Sequence, residues 1–196
     1  MSDLDSIRER LRAAGTDEGR KAAQKFVPTA DRTYGVRVPI LNELARELDH
    51  ADLEMVLDLW NSGMYEERLL AAKLLERFGR KEPDQTWRTV QRLAMDIADW
   101  ATGDTLATEA VRPILKALGP EVAEAASRYV ESDGEWTRRF GLVLLTHFVK
   151  DPGQQARIEA ALASASVDRR TYVKKAAEWL RRDVAKSNSI AADTAG

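Results

Sequence analysis

The chain has 196 residues, 44% apolar and 32% charged, which is enough for one globular unit with a continuous core. With 30 Lys and Arg against 32 Asp and Glu, the formal charge is -2, so a surface for a polyanion has to come from local clustering. Cysteine is absent and His50 and His147 are the only imidazoles, which excludes disulfides, thiol nucleophiles and thiolate metal sites and leaves no reason to expect a metal or cofactor.

From the N-terminus, MSDLDSIRER mixes acids and bases instead of forming an apolar leader, and no later run approaches bilayer length. A cytoplasmic protein without membrane contact is expected. Breaks fall at Gly15, Pro28, Gly35 with Pro39, Gly63, Gly79 to Pro83, Gly119-Pro120, Gly134 and Pro152-Gly153. Between them the apolar residues step by three and four, as in Leu41, Leu44, Ala45 and Leu48, then Leu53, Val56, Leu57 and Trp60, then Leu70, Leu74 and Phe78. That spacing predicts helices throughout, each of roughly 10 to 18 residues with short connections.

Tyr65, Trp100, Trp136 and Tyr172 follow one another at 35, 36 and 36 positions, a solenoid period. The predicted fold is all-α: a right-handed α-solenoid of HEAT-like helical repeats, an α-α superhelix. One domain is expected over 1–186. Aligned on the aromatics, Arg68, Arg139 and Lys175 share one slot, and Leu69, Phe140 and Ala176 the next; in the Trp100 unit these slots hold Gly103 and Asp104. Such equivalent cations would form a basic row along the stacked helices.

Within this frame the acidic pair Glu66 and Glu67 reads as a first-turn pair favourable to the helix dipole. Asp104 is the first candidate for chemistry, because a carboxylate in an otherwise apolar slot needs an explanation. Trp100, four residues earlier, lies on the same helical face, and a flat apolar wall beside a carboxylate suits a sugar that becomes cationic. The plainer alternative is that Asp104 caps a helix after Gly103, with Trp100 in the core.

Arg139, in EWTRRFGLVLL, has a planar fork suited to a phosphate; its ordinary alternative is an ion pair with Glu135 or Asp133. His147, in the apolar LLTHFV, reads as a hydrogen-bonded core or rim histidine, and His50 as a helix-end residue. If 171–186 is one helix, Lys175, Trp179, Arg182 and Lys186 line one side of it. An aromatic among cations suits phosphate attraction with apolar contact to sugar or base, or simply covers the rim of the core. The last segment, 187–196 (SNSIAADTAG), has no apolar stripe and is expected as a disordered tail. No nucleotide-binding, zinc-hydrolase or serine-hydrolase motif occurs.

Five segments occur in order: YGVRVPILNELARELD (34–49), LWNSGMYEERLLAAKLLERF (59–78), DWATGDTLA (99–107), EWTRRFGLVLL (135–145) and YVKKAAEWLRRDVAKSN (172–188). As an ordered set they resemble the bacterial DNA alkylation repair proteins of the AlkD type, over roughly Phe26 to Asn188. The resemblance implies a HEAT-like DNA glycosylase that removes N3- or N7-alkylated purines from duplex DNA without a cofactor, acting as a monomer. It also implies site roles: Trp100 and Asp104 as the catalytic Trp-x-x-x-Asp, Trp179 beside them, Arg139 on the DNA backbone, and Phe26 as an N-terminal aromatic lining the cleft where tyrosine is usual.

Family members usually continue through another helix or two, so a shortened C-terminal end of the groove is expected. Two other readings use the same fold. One is a non-catalytic binder of distorted or branched DNA; the other is a scaffold holding a partner helix.

Overall fold

The computed structural model describes residues 3–27 and 29–195, with side chains through Ile190. Helices α1 (Asp3–Ala14), α2 (Asp17–Phe26), α3 (Val38–Glu47), α4 (Leu53–Asn61), α5 (Tyr65–Phe78) and α6 (Pro83–Ala94) form the N-terminal half. The chain then runs through α7 (Trp100–Thr105), a π-helical segment (Leu106–Ala110) and a 3-10 turn (Arg112–Ile114) into α8 (Leu115–Val130). Helices α9 (Glu135–Leu145), α10 (Gln155–Ser166) and α11 (Thr171–Ala195) complete it. No strand occurs among the described residues, and none of their helices is long and apolar enough to cross a membrane.

The helices stack in two layers. In one, α3 packs on α5, α5 on α7 and its π-helical continuation, these on α9, and α9 on α11. The other contains α4, α6, α8 and α10, each packed against a member of the first. Neither layer could bury its apolar face without stacked neighbours, so the chain is an α-solenoid of the HEAT-like kind. One contiguous buried cluster runs from Ile7 to Leu180 and includes Trp60, Leu74, Ile114, Leu142 and Ala176.

The four periodic aromatics are the first or second residues of α5, α7, α9 and α11. They therefore mark one end of the first layer. Trp136 and Tyr172 touch, with ring centroids 4.8 Å apart.

Three details depart from the sequence reading. Gly119-Pro120 does not end a helix: α8 passes through it with a kink at Leu118 (φ -123, ψ 17). Proline is tolerated there because it opens the first turn after the kink, where its missing N–H has no helical partner anyway. The backbone of α11 stays helical through Ala195, across the stretch expected to be a loose tail; alanine is the strongest helix former and no glycine or proline intervenes from Thr171 to Ala195. Glu66 and Glu67 are buried, 0% and 1% exposed, so they do far more than favour the helix dipole.

Glu66 accepts hydrogen bonds from the Thr33 hydroxyl (2.6 Å) and from the backbone N–H groups of Tyr34, Gly35 and Val36 (2.9, 2.7 and 3.0 Å). Glu67 accepts from the Tyr34 hydroxyl (2.6 Å) and from Arg8 (3.2 Å). Two carboxylates on α5 thus fix the loop that leads from α2 into α3. Burial, and then the bond to Glu67, push the Tyr34 hydroxyl up to about 12. Gly35 makes the loop possible: its φ is +80, and a Cβ there would lie 2.3 Å from the Thr16 carbonyl oxygen. Gly35→Ala is expected to lose on the order of 2 kcal/mol, read as a lower denaturant midpoint at unchanged slope. An unaltered midpoint would mean that the loop can relax.

Candidate active site

Asp99 opens α7. Its carboxylate accepts from the Thr102 N–H (2.8 Å) and hydroxyl (3.0 Å), and from the Thr29 hydroxyl (3.1 Å) in the α2–α3 loop. Asp99, not Asp104, is therefore the helix cap, and the capping alternative for Asp104 is set aside. The Asp-x-x-Thr pattern of DWAT carried that signal in the sequence.

Asp104 lies one turn further, inside the helix, with its side chain 16% exposed. Its two oxygens receive a parallel pair of hydrogen bonds from Arg139 on α9, Nε to Oδ1 at 2.8 Å and Nη2 to Oδ2 at 2.6 Å. Arg139 is 7% exposed, and its Nη1 donates to the Tyr172 carbonyl oxygen at 2.8 Å. The pair therefore ties α7, α9 and the start of α11 together. Glu135 was an ordinary alternative partner for Arg139, but it accepts from the Tyr172 N–H instead (3.1 Å). A bidentate pair fixes the carboxylate's plane as well as its position.

Burial pushes the Asp104 carboxyl above the ordinary carboxylate range; the Arg139 hydrogen bonds and charge pull it back, and nearby Asp99 adds to the rise. Just beyond Asp104 the helix widens into its π turn, and the Thr108 hydroxyl donates to the Asp104 carbonyl oxygen (2.7 Å). His147 reaches the same segment from the end of α9, with Nε2 2.9 Å from the Ala107 carbonyl oxygen. Burial lowers its pKa. It is a half-buried, hydrogen-bonded histidine against the π segment. π turns recur at functional sites because they displace the residues around them.

Trp100 is half-buried against Val27, Ala30 and Ala101, and its indole N–H donates to the Phe26 carbonyl oxygen (2.8 Å). Phe26, the last residue of α2, is 63% exposed, with Lys25 5.4 Å from its ring centroid. The Phe26 backbone and Trp100 are thus brought together. Trp179 is half-buried against the core in α11, between exposed Lys175 and Arg182 and two turns before exposed Lys186. No hydrogen bond joins Trp179 to Asp104. Lys175 lies 5.6 Å from the Tyr172 ring centroid.

The expected basic row is not uniform. Lys175 is open, whereas Arg68 is held by Asp96 (2.5 Å) and the Trp60 carbonyl oxygen (3.2 Å), and Arg139 by Asp104. In this fold both arginines first serve contacts between helices. The sequence reading also missed the pair between buried Lys73 and half-buried Glu109 (2.8 Å), which joins α5 to the π segment. Its members lie 36 positions apart and nothing in local spacing announces them. Among the described residues, no group of His, Asp and Glu could hold a metal ion.

A family model described as DNA alkylation repair enzyme matches residues 7–194. No curated protein and no solved structure matches the chain.

Proposed function

From the premise that this chain belongs to the DNA alkylation repair enzyme family, we propose that it is a monofunctional DNA glycosylase acting on cationic N3- and N7-alkylated purines in duplex DNA. The observation that carries the reading is Asp104, a nearly buried carboxylate locked in plane by Arg139 on the same helical face as Trp100. Beyond tying helices together through Arg139, a carboxylate facing phosphates would only weaken a non-catalytic DNA binder.

One carboxylate suffices for this chemistry. Hydrolysis of an ordinary glycosidic bond recruits a second carboxyl group to protonate the leaving group. An N3- or N7-alkylpurine already carries the positive charge. When its C1′–N9 bond breaks, the electron pair goes to the purine, which leaves neutral, and the deoxyribose becomes the cation. Asp104 stabilises that cation and positions the water whose oxygen bonds to C1′; the water's proton passes to solvent. Arg139 occupies one lone pair on each Asp104 oxygen, and each oxygen keeps another for water or sugar. Trp100 and Trp179 pack against the deoxyribose, and Phe26 lines the cleft beside Trp100.

Lys175, Arg182 and Lys186 are exposed and supply phosphate contacts. Arg139 can meet a phosphate only with the N–H groups that Asp104 and Tyr172 leave over. No lysine is assigned to Schiff-base formation, so the abasic strand is left uncut.

The leaving group tests the mechanism. Release of 7-methylguanine should exceed release of hypoxanthine, which is uncharged, by at least 100-fold (~3 kcal/mol of barrier) under single-turnover conditions. Comparable rates would require a general acid that this site does not contain.

A further inference from the structure

Away from the Trp100 end, two grooves of about 420 and 870 Å3 adjoin, sharing Glu76 and Arg77. The smaller is lined by α3, α5 and the π segment, all members of the layer that carries Asp104. The larger continues past the end of α5 to the start of α8.

Their acids are already neutralised: Glu109 by Lys73 at 2.8 Å, and Glu76 by Arg112 at 2.6 Å. Arg46, Arg77, Arg80 and Lys116 line the same surface, are exposed, and have no carboxylate partner. Arg77 spends one nitrogen on the Ala45 and Leu48 carbonyl oxygens, which fixes its guanidinium without cancelling its charge. Four uncompensated cations therefore converge in a protein of net charge -2. Such concentration against the average is what recognition of a polyanion requires.

Arg112, a wall residue of the larger groove that is itself paired with Glu76, lies eight residues beyond Asp104 along a run of α, π and 3-10 turns, which sets the groove roughly 12 Å or less from Asp104 along that run. That separation is on the order of a DNA groove width, about 6 to 12 Å. We propose that this cluster is a second phosphate track, which grips the strand complementary to the one whose deoxyribose meets Asp104. The inference rests on duplex DNA being the substrate, not on base release. Its occupant is a sugar-phosphate backbone, read by charge and without base contacts.

The test measures binding of the full chain to an unmodified duplex across a salt series. Arg80 and Lys116 make no other polar contact, so Arg80→Gln with Lys116→Gln should fold normally. The double variant should lose about tenfold in affinity near 0.1 M salt, and its salt dependence should flatten by roughly 2 in log-log slope. Arg88→Gln with Arg92→Gln, on exposed α6 positions, removes equal charge and should change neither. On a duplex in which one strand carries a single stable abasic-site analogue to fix the orientation, uncharged methylphosphonate linkages in the complementary strand should erase the difference between parent and variant; the same linkages in the abasic strand should preserve it.

An unchanged slope, a matching loss in the α6 control, a difference insensitive to complementary-strand neutralisation, or a parent that does not bind duplex would each overturn the proposal. Base release is scored separately. A protein that binds through this cluster but frees no base would sink the glycosylase reading and leave this inference standing.

Discussion

Asp104→Asn is expected to lower the rate of 7-methylguanine release by on the order of 100- to 1000-fold at matched DNA occupancy, with binding to undamaged duplex unchanged or tighter. The magnitude is that of removing one preorganised electrostatic contact to a transition-state charge. The amide keeps the volume, but its one oxygen can accept only one of the two Arg139 bonds and the buried guanidinium loses its counter-charge, so the variant is expected to be less stable, and circular dichroism and the unfolding midpoint must show it folded at the assay temperature. Loss of charge next to a polyanion cannot weaken binding. A rate within threefold of the parent would remove Asp104 from the chemistry and move its role to structure alone.

Arg139→Gln is expected to alter both the pH profile and stability. In the proposed mechanism the active form is the Asp104 carboxylate, so the rate should fall as pH drops through its pKa. Arg139 supplies the effects that lower that pKa, while burial and Asp99 raise it. Without the guanidinium only the raising effects remain, and the acid limb of the rate profile must shift to higher pH.

Stability follows the same sign. Breaking a buried pair costs about 3–5 kcal/mol when the remaining charge is uncompensated. Here the remaining charge is a carboxylate that can take a proton. A carboxyl whose folded pKa lies above its unfolded value binds more protons in the folded state, so stability falls as pH rises from the unfolded pKa through the folded one. The variant should therefore be least stable at neutral pH and partly recover in mild acid. A merely structural role would lower stability and leave the acid limb where it was. Arg139→Lys should not rescue, because an ammonium cannot make the parallel pair.

The fold was legible because its signals are periodic. Steps of three and four in the apolar residues identified the helices, and aromatics recurring at 35 and 36 positions marked the starts of α5, α7, α9 and α11. Asp104 stood out for a related reason: its repeat equivalents Leu69, Phe140 and Ala176 are all buried in the core. Its partner was hidden. Arg139 occupies a slot shared with Arg68 and Lys175, and nothing in one-dimensional spacing shows that Arg139 reaches across 35 positions to a carboxylate while Lys175 stays open.

Buried charge was the least legible feature. Glu66, Glu67 and Lys73 look like solvated face residues by composition, yet each satisfies groups from a distant segment. Local propensity cannot anticipate such contacts, because the desolvation they offset exists only once the helices have packed. The π turn after Asp104 and the kink at Leu118 are likewise products of packing, in a stretch whose sequence reads as ordinary helix with one break.

The most direct test is release of free base from duplex DNA carrying a single 7-methylguanine, with the full-length chain in excess and both strands followed. The account predicts free 7-methylguanine in a single exponential phase and an intact abasic strand that is cut only by later alkali. Salt-sensitive binding to the same duplex with no free base would contradict it, leaving a family member that holds DNA without hydrolysing it.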